Sequence, residues 1–214
     1  MSRQQDPSLP EPPSDPAELE AFPRYRLEPQ APLFRVVLRQ RQPWWFGSDG
    51  SGRFDLRPPS GTCYTSSDPL SALLEVIGPD RLGGAVSTRF LAERRLCRLS
   101  VPEARELADL GSRRAAGFGI THEIHTLVPY RLPQLWAARL AEAGAEGVRY
   151  FLRHDPAARA GFALFGPAGL REDWPAEPGE EIGPELEDRL EAECGVSVLE
   201  VPGARELVWV DDPS

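Results

Sequence analysis

Short segments with the spacing of strands and helices follow one another in irregular order along the chain, and this order limits the fold class. Residues 33–38 and 147–152 are mostly apolar runs that predict buried strands. Over residues 69–77, apolar side chains recur at helical spacing after a capping residue, Ser67 or Asp68. Because strands and helices do not alternate regularly, we expect an α+β fold in which helices flank a mixed central β-sheet.

Other periodic segments complete the predicted secondary structure. The helix predicted at residues 133–143 has Leu135, Trp136 and Leu140 as its buried face. Further strands are predicted at residues 63–65, 95–101, 162–165, 196–201 and 206–210, and further helices at residues 103–110 and 184–194.

The two ends of the chain differ in composition from the middle, which predicts three parts. Residues 1–30 are rich in Pro, Glu, Asp and Gln and bury too little apolar surface to offset chain entropy. We therefore expect a disordered or loosely docked tail there, with Leu27 and Leu33 as anchors if it docks. Residues 31–168 form the central domain, and residues 169–214 form a C-terminal extension with one helix and short strands.

Charge and composition exclude several classes of partner. The formal net charge of −9 repels phosphate backbones, so we expect no nucleic-acid partner. The chain has no apolar run approaching the roughly 20 residues that cross a bilayer, and its N-terminus lacks the apolar core of a secretory signal. The three widely spaced cysteines make neither a disulfide framework nor a metal motif, so a reducing cytoplasm is the expected compartment. His122 and His125 lack the H-E-x-x-H spacing and a third ligand, so no metal site is expected.

Residues 40–62 form a long segment with little periodicity after the first strand. A loop of this length inside a compact domain is usually functional or disordered, and its aromatic residues argue against disorder. We expect Trp44 and Trp45 to cover the core where the loop crosses it; a clamp on a ligand is the alternative.

Polar side chains from separate segments are candidates for chemistry: Arg35, Arg53, Tyr64 and Glu75. Arginine forks match phosphate oxygens, and a tyrosine ring can stack on an aromatic group. A carboxylate can hold ribose hydroxyls and stabilise positive charge as a glycosidic bond breaks. Taken singly, each residue has an ordinary explanation in a surface ion pair, core packing or a solvated helix face.

Short motifs surround these residues in a defined order. An arginine on the first strand, an Arg-Phe step in a loop, a G-x-x-Y strand and an A-L-x-E helix occur at residues 34–35, 52–55, 61–64 and 72–75. Residues 134–137 and 147–153 then correspond to a Q-x-W-A helix and a G-[IV]-x-Y-x-S-R strand. This ordered set, which covers about residues 33–166, resembles the RES domain family.

The resemblance implies a fold, a substrate and a partner. RES domains resemble ADP-ribosyltransferase toxins in fold and cleave the nicotinamide–ribose bond of NAD by phosphorolysis, hydrolysis or ADP-ribosyl transfer. Many are toxins that a cognate antitoxin neutralises. The resemblance therefore implies NAD as a substrate rather than a permanently bound cofactor, and an antitoxin protein as a partner.

The resemblance also implies a role for each site residue. Arg35 and Arg53 would hold the diphosphate and orient the nicotinamide ribose, and Tyr64 would pack on the nicotinamide. Glu75 would bind ribose hydroxyls and stabilise an oxocarbenium-like transition state. Further dinucleotide-binding residues are expected at Phe54 and Arg153.

One position departs from the family pattern. Leu152 stands where the family has serine, and leucine cannot donate or accept a hydrogen bond, a loss of about 1–3 kcal/mol if that bond is made. Arg153 or His154 could supply the hydrogen bond in place of the serine, and the sequence alone does not decide this. The departure supports a second hypothesis, a RES-derived module that binds NAD or a protein without turnover. A third hypothesis is a surface-interaction protein that works through its acidic tails.

Overall fold

The computed structural model describes residues 8–78 and 84–200 of the 214-residue chain. Its α-helices are α1 (Pro69–Ile77), α2 (Thr88–Ala92), α3 (Arg131–Glu142) and α4 (Pro184–Cys194). Its strands are β1 (Arg24–Leu27), β2 (Leu33–Leu38), β3 (Trp45–Phe46), β4 (Ser60–Ser66), β5 (Ala85–Ser87), β6 (Arg94–Leu99), β7 (Arg105–Asp109), β8 (Gly147–Phe151), β9 (Ala160–Pro167), β10 (Gly169–Leu170), β11 (Glu180–Glu181) and β12 (Ser197–Leu199). Short 3₁₀ turns occur at Pro16–Leu19, Arg113–Phe118 and His122–His125. None of these helices is long and apolar enough to cross a membrane.

An eight-stranded mixed sheet organises the fold, in the order β1-β7-β8-β9-β4-β2-β6-β11. Its neighbouring strands are antiparallel except for β7 and β8, which run parallel. Smaller two-stranded sheets join β3 to β10 and β5 to β12. The expected α+β fold with a mixed central sheet is confirmed.

Side-chain alternation gives the main sheet two different faces. On one face, α1 packs on Val36 of β2, and α3 packs on Val148 of β8. On the other face, Cys63 of β4 joins a cluster that contains Trp44 and Trp174, whose rings meet edge to face at 4.8 Å. The candidate site lies on the helical face, between the core cluster around α1 and the core cluster around α3.

The helix α1 begins where its sequence predicts. Asp68 accepts a hydrogen bond from the N–H of Ser71 at 2.8 Å, and Pro69 occupies the first turn, where its missing N–H costs nothing. Leu70, Leu73 and neighbouring apolar residues are buried against the sheet, which places Glu75 at the edge of the buried stripe.

The prediction of a helix at residues 103–110 is wrong, because Arg105–Asp109 forms the strand β7. Leu107 and Leu110 lie three residues apart, which imitates a helical face. In the structure, β7 is an interior strand between β1 and β8, and adjacent Leu107 and Ala108 are both fully buried. A strand covered on both faces loses the polar–apolar alternation that identifies strands in a sequence.

Residues 8–30 are docked on the domain. The strand β1 pairs with β7 at one edge of the main sheet, and Leu27 is fully buried, as is Leu33 at the start of β2. Leu9, Leu19 and Phe22 belong to the core cluster that includes α3. The apolar residues scattered among the prolines and acids therefore bury surface that holds residues 8–30 on the domain, as in the docked alternative.

The C-terminal extension adds to the same body. Leu186 and Leu190 of α4 pack with α1, and β11 pairs with β6 at the other edge of the main sheet. The helix predicted at residues 184–194 is confirmed as α4. The strand predicted at residues 196–201 is shorter, as β12, and the strand predicted at residues 206–210 lies outside the described residues.

Candidate active site

A cavity of about 350 Å³ opens on the helical face of the sheet. Its walls come from β2, β4, α1, the loop that contains Arg53, and the turn that follows β8. Arg53, Tyr64, Glu75 and Arg153 all line it, so separate stretches of chain bring these predicted site residues together.

Arg53 is held firmly although it lies in a loop. It is 7% exposed, its Nη1 donates to the carbonyl of Leu127 at 2.7 Å, and its guanidinium lies 4.7 Å from the centre of the Tyr130 ring. Burial lowers the pKa of Arg53, and Tyr130, Tyr150 and Glu75 partly offset this effect. An arginine stays protonated in a protein, so the cavity contains a fixed cation with little water around it.

Tyr64 braces the loop that carries Arg53. Its hydroxyl donates to Asp55 Oδ1 at 2.8 Å and accepts from the N–H of Phe54 at 2.8 Å. Burial and the adjacent Asp55 raise the pKa of Tyr64 well above its ordinary value, so the phenol stays neutral. The hydroxyl is therefore engaged within the protein, and the ring is the part of Tyr64 that faces the cavity.

The same loop is closed by further hydrogen bonds. Asp55 Oδ2 accepts from the N–H of Gly52 at 2.9 Å, and the amide of Gln134 donates to the carbonyls of Gly50 and Gly52 at 2.9 and 2.8 Å. A Cβ at Gly52 would overlap both Asp55 and Tyr64, so only glycine fits there.

Glu75 is the carboxylate of the cavity. Its Oε1 accepts from the N–H of His154 at 2.6 Å. Burial raises the pKa of Glu75, while the His154 hydrogen bond and the charge of Arg53 lower it in part. The partly desolvated carboxylate of Glu75 and the desolvated guanidinium of Arg53 therefore line the same cavity, where electrostatic interactions are stronger than in water.

The structure does not bring the guanidinium of Arg35 to this group, although Arg35 contributes to the cavity wall. Its Nη1 donates to the carbonyls of Pro43 and Trp45 and lies 2.8 Å from Cys63 Sγ. Cys63 belongs to the cluster on the other face of the sheet, and Tyr64, the next residue of β4, points to the cavity. The guanidinium of Arg35 therefore fastens the loop after β2, and its contact with a diphosphate stays a prediction.

Phe54 is also separate from the cavity. Its ring is fully buried in the core and meets Tyr150 edge to face at 4.9 Å. The side chain that was expected to contact the dinucleotide instead packs beneath the site and anchors the loop. The Arg-Phe step thus consists of one residue that faces the cavity and one that faces the core.

The turn after β8 carries the position that departs from the family pattern. Leu152 is 6% exposed and lines the cavity, so the serine position does face the site. Arg153 is exposed at the cavity and His154 is half-buried, and both line it. Each therefore offers a polar group beside the apolar side chain of Leu152.

Sequence reasoning did not assign Tyr130, Tyr150 and Asp55 to the site. Tyr130 and Tyr150 line the cavity, and burial raises the pKa of Tyr150, which keeps that phenol neutral. Tyr130 lies just before α3, where a tyrosine in a turn carries no functional signal of its own. Asp55 follows the Arg-Phe step directly, and the G-x-x-D spacing from Gly52 is the signal for the turn that it closes.

His122 and His125 contact each other with ring centres 5.0 Å apart. Among residues 8–78 and 84–200, no group of three or more His, Cys, Asp or Glu side chains is arranged to hold a metal ion. The Nδ1 of His125 instead accepts from the N–H of Phe151 at 3.3 Å, which ties the 3₁₀ turn to the end of β8.

Together, the fold and the cavity define an α+β domain with a buried guanidinium and a half-buried carboxylate that line one pocket with several tyrosine rings. A family model described as the RES domain matches residues 32–180. The chain therefore belongs to the RES domain family.

A solved structure supports the fold. A chain in the crystal structure of the M. tuberculosis MbcT–MbcA toxin–antitoxin complex matches with a TM-score of 0.60 at 14% sequence identity. The match covers 83% of this chain and 95% of that chain. No match was found among curated protein sequences.

Proposed function

We propose that this protein cleaves the bond between nicotinamide and ribose in NAD. The single observation that carries the proposal is the convergence of Arg53, Tyr64 and Glu75 on one cavity of about 350 Å³. Membership of the RES domain family, whose members act on NAD, supports the same substrate.

The geometry suggests how the reaction proceeds. Arg53 and the exposed Arg153 supply positive charge for the diphosphate, and the rings of Tyr64 and Tyr130 provide flat surfaces for nicotinamide. As the C1′–N bond breaks, its electron pair passes to the nicotinamide nitrogen, which leaves as a neutral molecule and needs no proton. Positive charge then develops on the ribose, and the carboxylate of Glu75 stabilises it.

An acceptor must complete the reaction at C1′ of the ribose. Phosphate would give a phosphorylated ADP-ribose, water would give ADP-ribose, and a protein side chain would give a covalent adduct. Incubating the purified protein with NAD, with and without phosphate, and separating the products by chromatography distinguishes these routes. We expect nicotinamide release well above the blank; a rate equal to the blank at every phosphate concentration would contradict the proposal.

A second candidate function is a RES-derived module that binds NAD without turnover. The observation that favours it is Leu152, an apolar side chain in the cavity wall at the family's serine position. Under this alternative, calorimetry would show NAD binding while no nicotinamide appears. A gain of nicotinamide release in Leu152→Ser would show that the site lacks only the serine. An inactive Leu152→Ser would show that restoring the serine alone does not restore catalysis.

We also propose that the protein is the toxin of a toxin–antitoxin pair and that the reaction takes place in the cytoplasm. Family membership and the likeness to a chain of the MbcT–MbcA complex support this proposal. Expression in a bacterial host should lower cellular NAD and arrest growth, and co-expression of the cognate antitoxin should restore both. Unchanged NAD levels alongside abundant folded protein would contradict it.

A further inference from the structure

The turn that follows β8 is attached to α1 along one face of the helix. The N–H of His154 donates to Glu75 Oε1 at 2.6 Å, and Ser71 Oγ donates to Asp155 Oδ2 at 2.5 Å. The imidazole of His154 lies against Gly78, where any Cβ would overlap the ring. Ser71, Glu75 and Gly78 are spaced i, i+4 and i+7, so they share a face, and residues 154–155 lie along it.

Asp155 is buried, and its carboxylate is bound by donors within the protein. It is 7% exposed, and its Oδ1 accepts from the N–H of Ala157 at 2.8 Å. The hydroxyl of Ser71 has a single hydrogen. Ser71 Oγ also lies 2.9 Å from Asp68 Oδ2, a longer distance than the one to Asp155 Oδ2. We therefore assign the hydroxyl hydrogen to Asp155.

We propose that Asp155 is a positioning residue that anchors the turn to Ser71 and thereby holds the N–H of His154 on the carboxylate of Glu75. Asp155 does not line the cavity, so it acts through Glu75 and not on the substrate. The inference rests on the proposed function, because Glu75 is the group that stabilises the developing positive charge.

The charge of Asp155 has a second effect on Glu75. Burial is the largest influence that raises the pKa of Glu75, and Asp155 raises it further. The hydrogen bond from His154 and the charges of Arg53 and Arg153 act in the opposite direction. The titratable and charged groups that line the cavity with Glu75 come from β2, the loop that contains Arg53, β4, the segment before α3, β8 and the turn after β8. They are Arg35, Arg53, Tyr64, Tyr130, Tyr150, Arg153 and His154. Asp155 does not line the cavity but also acts on Glu75 through its charge.

Two substitutions separate the anchor from the charge. Asp155→Asn keeps an oxygen that can accept from Ser71 Oγ but removes the negative charge, whereas Asp155→Ala removes both. We expect Asp155→Asn to keep kcat within a few-fold of wild type and to move the acid limb of the pH profile to lower pH. Asp155→Ala should lose kcat by roughly 10²-fold with a smaller change in KM, since a displaced catalytic group costs about that much. Glu172→Gln, an exposed site with the same charge change, should follow wild type.

A measurement without turnover tests the same contact. The amide ¹H resonance of His154 should be shifted downfield by its hydrogen bond to Glu75 in wild type and in Asp155→Asn, and this shift should be lost in Asp155→Ala. A His154 amide shift in Asp155→Ala equal to that of wild type, or wild-type kcat in Asp155→Ala, would overturn the positioning role. A wild-type protein that releases no nicotinamide would overturn the proposed function, and the His154 amide shift would then decide on Asp155 independently.

Discussion

At the scale of single residues, Glu75 is placed under opposing demands. Burial raises its pKa, which favours the neutral acid, whereas the proposed reaction needs the carboxylate. In the unfolded chain, the pKa of a glutamate is about 4.3. Between that pH and the higher pKa of the folded protein, the folded state binds more protons than the unfolded state. The free energy of unfolding therefore decreases as the pH rises through this window.

Glu75→Gln should remove this pH dependence, because glutamine carries no charge to desolvate. The free energy of unfolding of wild type, measured by urea titration at a series of pH values, should decrease from about pH 4.3 upward relative to that of Glu75→Gln. Glu172→Gln, which changes an exposed carboxylate, should follow wild type. A constant difference between wild type and Glu75→Gln at every pH would show that Glu75 is not desolvated.

His125 predicts a pH effect of opposite sign. Burial, followed by the charges of His122 and Arg53, lowers the pKa of His125 to about 3. In the unfolded chain, the pKa of a histidine is about 6.5. Below that pH, the unfolded state therefore binds a proton that the folded state does not bind. The free energy of unfolding should therefore decrease as the pH falls from about 6.5, by up to about 1.4 kcal/mol per pH unit for this one group.

His125→Asn should remove that decrease and keep an acceptor for the N–H of Phe151. Denaturant titrations between pH 7 and pH 4.5 check this expectation. The matched control is His122→Asn, which removes an exposed imidazole and should keep most of the dependence. If wild type and His125→Asn lose stability in parallel as the pH falls, the neutral buried imidazole is ruled out.

At the scale of elements, the loop between β3 and β4 acts as a rigid support. Tyr64, Asp55 and Gly52 form a closed set of hydrogen bonds around Arg53. Gly52→Ala would force a Cβ against Asp55 and Tyr64, and such overpacking costs about 1–3 kcal/mol. We expect a lower melting temperature and weaker NAD binding by calorimetry, because Arg53 is displaced. Gly117→Ala, which meets no atom within 4 Å, should change neither; equal effects of the two variants would contradict the support role.

The sequence predicted elements well where one face of an element is polar. The cap at Asp68 and the periodicity of α1 placed Glu75 correctly on the flank of a buried helix. The motifs around Arg53 and Tyr64 located residues that share the cavity. The strand β7 was missed, because both of its faces are covered and no alternation remains to detect.

Side-chain direction was the other quantity that the sequence did not provide. Arg35 lies on a strand beside the cavity, but its guanidinium binds carbonyls of the loop after β2. Phe54 is adjacent to Arg53, yet its ring is in the core. Which side chain of a loop pair enters a site depends on contacts from distant segments, such as the carbonyl of Leu127 and the ring of Tyr150.

At the scale of the whole molecule, the N-terminal segment is part of the core beneath the site. Leu19 is fully buried against the cluster that holds α3, and Trp136 Nε1 donates to the carbonyl of Pro10 at 2.8 Å. Leu19→Ala should lower the free energy of unfolding by about 2–5 kcal/mol, as for other buried leucines. Leu170→Ala, at a leucine that is 38% exposed, should lower it by less. Chemical denaturation followed by tryptophan fluorescence checks both values, and a near-zero effect of Leu19→Ala would mean that the segment is not docked in solution.

Cleavage of NAD in this cavity requires the half-buried carboxylate of Glu75 and the buried guanidinium of Arg53 to act together on one NAD molecule. The most direct test is the rate of nicotinamide release by wild type and by Glu75→Ala, measured at saturating NAD in phosphate buffer. We predict measurable release by wild type and a loss of at least roughly 10²-fold in Glu75→Ala, with NAD still bound. Equal rates in the two proteins, or release by neither, would contradict the claim.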